Sequence, residues 1–276
     1  MSLTPNPMAS IGIKTMSDFR FFPLAGAAAV LIALTGCNNA KTTNTSSPEG
    51  KIPPASPTQT TAESKDVDYM SALALMKGHL IVAKELLDLG KPDQAEPHIG
   101  HPVEELYGDV ESQLSERNVA EFKTTLNQLH DLVKSAPDAP QVTADYEASM
   151  EAIDGAIEAL SETQRQSPQF VLKVINRLLE TAQEEYEAAI IDGKVVELLE
   201  YQDSRGFVIY AETLYQNISE QMSQKNPEAH QGLESTLTEL KKAWPSVNPP
   251  EPLVITPEQV SQLVATIKEN SEKVST

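Results

Sequence analysis

The sequence is poor in cysteine and in basic residues. Its 276 residues include one cysteine. A single thiol cannot form an internal disulfide, an iron–sulfur site or a cysteine-rich zinc site. Lys and Arg number 21 against 40 Asp and Glu, so the formal net charge is −19. Because phosphate binding requires an electropositive surface, this charge balance argues against a nucleic-acid partner.

Short motifs of several enzyme classes are also absent from the sequence. It contains no His-Glu-x-x-His, no Gly-x-Ser-x-Gly, no phosphate-binding loop and no Gly-x-Gly-x-x-Gly. These motifs belong to zinc peptidases, serine hydrolases, nucleotide hydrolases and dinucleotide enzymes respectively. Their absence favours a non-enzymatic protein and leaves catalytic activity an open question.

The N-terminal segment has the layout of a secretory signal. Lys14 and Arg20 precede an apolar run at 21–34, which ends at Leu-Thr-Gly-Cys37. A basic start, a short apolar stretch and small residues before a cleavage point are typical of signal peptides. The apolar run is shorter than the ~20 residues of a membrane-spanning helix. An uncleaved anchor helix is the alternative interpretation.

Leu-Thr-Gly-Cys37 resembles a bacterial lipobox. The resemblance implies that residues 1–36 are removed and that Cys37, acylated with chains such as palmitate, anchors the mature protein. We therefore expect a lipid-anchored protein of the bacterial cell envelope that faces the periplasm. Residue 38, which follows the cysteine, is Asn and not the Asp that marks inner-membrane retention in some bacteria. The sequence therefore does not decide between the inner and the outer membrane.

Residues 37–65 are predicted to be a disordered linker between the lipid and the folded part. Ten of the 28 residues at 38–65 are Ser or Thr and four are Pro. Such a segment buries too little apolar surface to offset the entropy lost on ordering.

From residue 66 onward the apolar residues recur every three or four positions, as expected for amphipathic helices. Ser167-Pro168, Asn226-Pro227 and Thr256-Pro257 each place a capping residue before a proline at the first helical position. The sequence thus predicts an all-α fold. The predicted helices lie near 66–89, 93–116, 118–135, 140–163, 167–191, 194–222, 227–243 and 257–274.

The eight predicted helices fall into two sets of four. The first set covers 66–165 and the second covers 166–276, and the two share similar turns and apolar spacings. Short connections favour antiparallel neighbours. We expect two tandem, antiparallel four-helix units that arose by duplication or only resemble one another in layout.

Histidines are concentrated in the first predicted unit, and imidazole together with carboxylate is a normal ligand set for iron, copper or zinc. His79 and His101 are equidistant from the turn at Gly90, so an antiparallel hairpin places them at the same height. Glu105 and His130 are similarly placed about the next turn. The candidate metal ligands are His79, His98, His101, Glu104, Glu105 and His130.

The second predicted helix leaves the direction of these side chains open. On a continuous helix, His98 and His101 lie opposite the apolar stripe that runs from Val103 to Leu114. Pro97, Gly100 and Pro102 interrupt the segment. The alternative to a metal site is a core histidine at position 79 and surface histidines at 98 and 101.

His101-Pro-Val-Glu104 resembles the His-x-x-Glu signature of the imelysin-like family. Members of that family are bacterial, often lipid-anchored, periplasmic proteins that have two helical-bundle halves and are linked to iron uptake. The resemblance implies that His101 and Glu104 are metal-site residues.

Two functions therefore follow from the sequence. The first is capture or delivery of iron, copper or zinc by an envelope-anchored protein of imelysin-like type. The second is a non-enzymatic helical adaptor that docks an envelope protein partner, since residues 83–95 resemble half of a tetratricopeptide repeat. In the second predicted unit, Asp203 and Arg205 are interpreted as a surface ion pair.

Overall fold

The structure, a computed structural model, describes residues 57–274, with side chains from residue 62 onward. The predicted signal peptide, the lipobox with Cys37 and most of the predicted linker lie outside these residues. The boundaries of the two predicted units stay a prediction. Within the described part, no helix is both long and apolar enough to cross a lipid bilayer.

The described chain is almost entirely helical, which confirms the predicted all-α fold. The helices are α1 (Pro57–Asp88), α2 (Pro92–His101), a π-helical turn (Pro102–Leu106), α3 (Tyr107–Glu116), α4 (Lys123–Ser135), α5 (Gln141–Ile157), α6 (Glu162–Arg165), α7 (Pro168–Ala189), α8 (Leu198–Lys225), α9 (Pro227–Leu240), a 3₁₀ turn (Lys241–Ala243) and α10 (Pro257–Glu272).

Three helices begin at the prolines that the sequence indicates. Pro168, Pro227 and Pro257 open α7, α9 and α10. At α10, Thr256 and Gln259 form the reciprocal hydrogen bonds of a capping box. At the other end of the chain, α1 begins at Pro57, inside the segment predicted as linker.

One short β-hairpin departs from the expected purely helical pattern. Strands β1 (Ile190–Ile191) and β2 (Lys194–Val195) pair antiparallel between α7 and α8. Asp192 and Gly193, at the turn, have φ values of 52° and 73°. An Asp-Gly pair at positive φ is favoured in two-residue hairpin turns. Asp192 and Gly193 thus form the turn of a hairpin between α7 and α8.

The π-helical turn decides which way the histidines of α2 point. Pro102 has no N–H to donate, and the chain widens to π geometry from Pro102 to Leu106 before α3 resumes. Because a π turn holds more residues than an α turn, it rotates the side chains of α3 about the helix axis relative to those of α2. His98 and, further along, Val110 are therefore both buried, although one straight helix would point them to opposite sides.

The helices pack as two rings of four that share one apolar core. In the first half, α1, α2, α4 and α5 pack in sequence around a ring, and α7, α8, α9 and α10 do the same in the second half. Helix α8 also crosses α1, and buried apolar residues of both halves belong to one continuous cluster.

The crossing of α1 and α8 is unusually close because both helices have glycine there. A Cβ on Gly206 would lie 2.2 Å from the carbonyl oxygen of Gly78, and a Cβ on Gly78 would lie 2.6 Å from Phe207 Cδ1. Carbon atoms cannot approach a backbone oxygen so closely. Glycine at both positions therefore sets the separation of these two helices.

We expect Gly206→Ala to destabilise the fold by about 3 kcal/mol or more, since the clash is with backbone that cannot rotate away. Gly155→Ala in α5 is the matched control. Apart from the local backbone of α5, no atom lies within 4 Å of the added methyl group there. The control should be neutral or stabilise by up to about 1 kcal/mol. Urea unfolding of both variants tests this, and equal midpoints would contradict it.

Candidate metal centre

The centre of the site is the carboxylate of Asp203, on α8. Its side chain is 3 % exposed. Oδ1 lies 2.6 Å from Nδ1 of His79 and 2.6 Å from Nδ1 of His98. Oδ2 lies 3.2 Å from Nδ1 of His101. One buried carboxylate therefore faces the same ring atom of three histidines.

His79 reaches Asp203 because it follows the Gly78–Gly206 crossing directly. Its ring is nearly perpendicular to those of Phe207 and His101, with centroids 4.9 Å and 5.0 Å away. These edge-to-face contacts hold the imidazole between α1 and α8 with Nδ1 towards the carboxylate.

His98 is fully buried and is held at both ring nitrogens. While Nδ1 faces Asp203, Nε2 lies 3.0 Å from Oε1 of Gln202. A buried polar ring is costly without partners, and here both of its polar atoms have one.

His101 completes the cluster, but its Nδ1 atom is buried without a hydrogen bond. The 3.2 Å approach to Asp203 does not have hydrogen-bonding geometry. On the other side of the ring, Nε2 lies 4.0 Å from Oε1 of Glu105. A buried ring nitrogen without a donor or acceptor is unusual in a folded protein and indicates a position for a further group.

Electrostatics couple these residues tightly. Burial by itself would raise the pKa of Asp203, but the charge of His79 and the close approach of His101, His79 and His98 to the carboxylate hold that pKa well below its usual range. Burial lowers the pKa of His101, yet interaction with Asp203 and the charges of Glu105 and Glu200 outweigh it and raise the pKa to about 8.

Three glutamates, Glu105, Glu185 and Glu200, interact electrostatically with the cluster or with one another. Burial raises the pKa of Glu185 to about 9, with further contributions from a hydrogen bond to Glu200 and from the charges of Glu200, Asp203 and Glu105. Carboxylates gathered in this way repel one another, and a cation placed among them removes that repulsion.

The donor set fits a transition metal. Among the described residues, His79, His98 and Asp203 form a group whose donor atoms all lie within 4.8 Å of one another. Donors on a tetrahedral zinc or similar ion are about 3.3 Å apart, given metal–donor bonds of about 2.0–2.1 Å. Small movements of the side chains therefore suffice to bring imidazole nitrogens and a carboxylate oxygen around one ion.

The structure brings together only some of the residues predicted as ligands. His79, His98 and His101 meet, with Glu105 at the edge of the group. His130 instead has Nε2 2.6 Å from Oε1 of Glu96. The Glu104 side chain is exposed. The predicted meeting of Glu105 with His130 is not among the contacts of the described residues.

The interpretation of Asp203 and Arg205 as a surface pair is wrong. Asp203 is buried among histidines, whereas Arg205 forms a two-point ion pair with Glu85, with N–O distances of 3.0 Å and 3.1 Å. Arg205 Nη1 also donates to the carbonyl oxygen of Trp244. Neighbouring residues on a helix point about 100° apart, so charges two positions apart do not face each other.

Sequence reasoning also missed Gln202, Glu185 and Glu200. For Asp203, which was also missed as a ligand, a usable signal was present, because it precedes the core residue Phe207 by four positions and so shares its helix face. An acidic residue on a buried face requires partners, and the histidines are the available ones.

Comparison with known proteins gives one family. Residues 161–276 match the family model of the iron permease-associated 4-helix bundle domain. No curated protein and no solved structure matches the chain. The matched segment includes Asp203, Glu185 and Glu200, whereas His79, His98 and His101 precede it.

We expect Arg205→Ala to destabilise the protein by about 2 kcal/mol, because it removes a two-point pair and leaves a backbone carbonyl without its donor. Lys84→Ala is the control, since Lys84 pairs with Asp88 on the surface of α1. Exposed pairs of this kind contribute at most about 0.5 kcal/mol. Thermal unfolding compares the two, and equal losses would show that the Arg205 contacts are unimportant.

Proposed function

We propose that this protein binds one transition-metal ion, with iron(II) as the physiological ion, through His79, His98, His101 and Asp203. The observation that carries the proposal is the convergence of three Nδ1 atoms on one buried carboxylate, with Nδ1 of His101 left without a hydrogen bond. An ion at this point satisfies all of these atoms together.

The charge of the site supports a cation as its ligand. The charges of Glu105 and Glu200 act on the cluster together with that of Asp203, whereas Glu185, with its pKa raised to about 9, is protonated near neutral pH. A histidine binds a metal ion through an unprotonated nitrogen and then adds no charge, so the carboxylates attract the divalent ion. Of these glutamates, Glu105 lies at the edge of the cluster, with Oε1 4.0 Å from Nε2 of His101.

Two independent features favour iron among the possible metals. Mixed imidazole and carboxylate ligation suits iron(II), zinc and copper alike, so the donor set does not select one of them. The match of residues 161–276 to an iron permease-associated domain favours iron. The resemblance of His101-Pro-Val-Glu104 to the imelysin-like signature points the same way, although Glu104 lies outside the cluster.

The proposed setting is the cell envelope. A lipid on Cys37 and a Ser/Thr/Pro-rich segment would hold the helical unit near the membrane, where it captures iron or passes it to a permease. Capture and release of a metal ion require no catalytic residue, because they involve only reversible binding of the ion to its ligands. An adaptor function without metal stays the alternative.

Metal binding should depend on Asp203 and not on His130. Full-length protein freed of metal with a chelator should take up one iron(II) ion per chain in an anaerobic titration. Asp203→Asn removes the charged ligand and should weaken binding by more than the roughly 10–100-fold that loss of an outer supporting group costs. His130→Ala should leave binding unchanged, since His130 pairs with Glu96. Equal affinity of wild type and Asp203→Asn would refute the site.

Metal should also stabilise the fold, because the ligands come from α1, α2 and α8. At a free metal concentration 100 times Kd, linkage adds about 2.7 kcal/mol. For a chain of this size that is a rise in Tm of about 5–10 °C. Differential scanning fluorimetry with iron(II) or zinc measures it, and EDTA should reverse it. A rise of the same size in Asp203→Asn would mean that the metal acts elsewhere.

A further inference from the structure

Gln202 is a buried amide next to the proposed ligands. It precedes Asp203 on α8 and the residue is 1 % exposed. While Asp203 faces His79 and His98 through its carboxylate, Gln202 reaches the opposite nitrogen of His98. The sequence offers no sign of this role, since glutamine is not a typical metal ligand.

The contacts of Gln202 fix the orientation of its amide. Nε2 donates to the carbonyl oxygen of Val247 at 3.1 Å and to Oε1 of Gln94 at 3.3 Å. A backbone carbonyl can only accept, so the NH₂ group must face Val247. The amide oxygen is then the atom that faces Nε2 of His98, at 3.0 Å.

The orientation of the amide in turn fixes the tautomer of His98. An amide oxygen can only accept, so Nε2 of His98 must carry a hydrogen and donate it. A neutral imidazole has one N–H, which leaves the lone pair on Nδ1. That lone pair points at Oδ1 of Asp203, 2.6 Å away. Two accepting atoms approach to this distance only with a proton between them. A metal ion that binds here displaces that proton, and the two atoms move apart to the spacing of metal ligands.

We infer that Gln202 is a positioning residue that holds His98 in the Nε2–H tautomer, so that the metal is bound through Nδ1. This inference rests on the proposed metal-binding function. Hydrogen bonds from the second ring nitrogen commonly set the tautomer and basicity of metal-bound histidines. Here the support extends through Gln202 to the Val247 backbone, which anchors the segment after α9 to the site.

The direct test is the ¹⁵N spectrum of histidine in the full chain loaded with zinc, which is diamagnetic. For His98 we expect a protonated Nε2 and a metal-bound, unprotonated Nδ1. Zinc bound through Nε2 of His98 would overturn the inference while leaving the metal site intact. A chain that binds neither zinc nor iron(II) would overturn both the inference and the proposed function, so the two failures are distinguishable.

Variants at position 202 provide a second readout. Gln202→Leu removes the acceptor, so His98 should populate both tautomers and zinc affinity should fall about 10–100-fold. Gln202→Glu keeps an acceptor for Nε2–H and should restore the Nε2–H tautomer and an affinity within about threefold of wild type, although its second oxygen faces Val247 and lowers stability.

Gln94→Ala is the matched control, because it removes one acceptor of the Gln202 amide without touching His98. It should keep the wild-type spectrum and affinity. A Gln202→Leu variant with the wild-type tautomer and zinc affinity would overturn the inference. The inference would also be overturned if His98 lost the Nε2–H tautomer in Gln94→Ala while the Gln202 amide still donated to the carbonyl oxygen of Val247.

Discussion

The close contact of α1 and α8 at Gly78 and Gly206 is the constraint on which the rest of the structure depends. With no side chain on either residue, the two backbones touch, and the next residue on α1 is His79. Asp203 lies nearly one turn before Gly206 on α8, so the same crossing places carboxylate and imidazole 2.6 Å apart. Any larger residue at the crossing would separate the two halves of the site.

The polar groups of the site lower the stability of the folded protein, which supports a role for them other than stabilising the fold. Burying a carboxylate and three imidazoles costs more free energy than an apolar core of the same volume. The hydrogen bonds to Asp203 offset part of that cost, but Nδ1 of His101 has none. Apolar residues at these four positions would pack between the helices without that cost. The polar groups at these positions are explained if a bound ligand offsets the free energy of burying them.

The sequence predicts the helices better than the site, for physical reasons. Apolar periodicity and N-terminal prolines are local signals, so α7, α9 and α10 begin where expected. The equal distances from Gly90 likewise anticipate the approach of His79 and His101. In contrast, the inward turn of His98 depends on a π turn, and the role of Asp203 depends on a contact with α1 more than 120 residues away. Neither is encoded in the spacing of neighbouring residues.

The proposed centre belongs to the whole helical unit and not to either half. Its histidines come from α1 and α2, whereas Asp203, Glu185 and Glu200 come from α7 and α8, inside the segment that matches the iron permease-associated domain. The family match and the histidine cluster are therefore separate observations on different parts of the chain. The three histidines lie outside the matched segment, so the family match says nothing about them. Their convergence on the buried carboxylate of Asp203 supports a metal-related role independently.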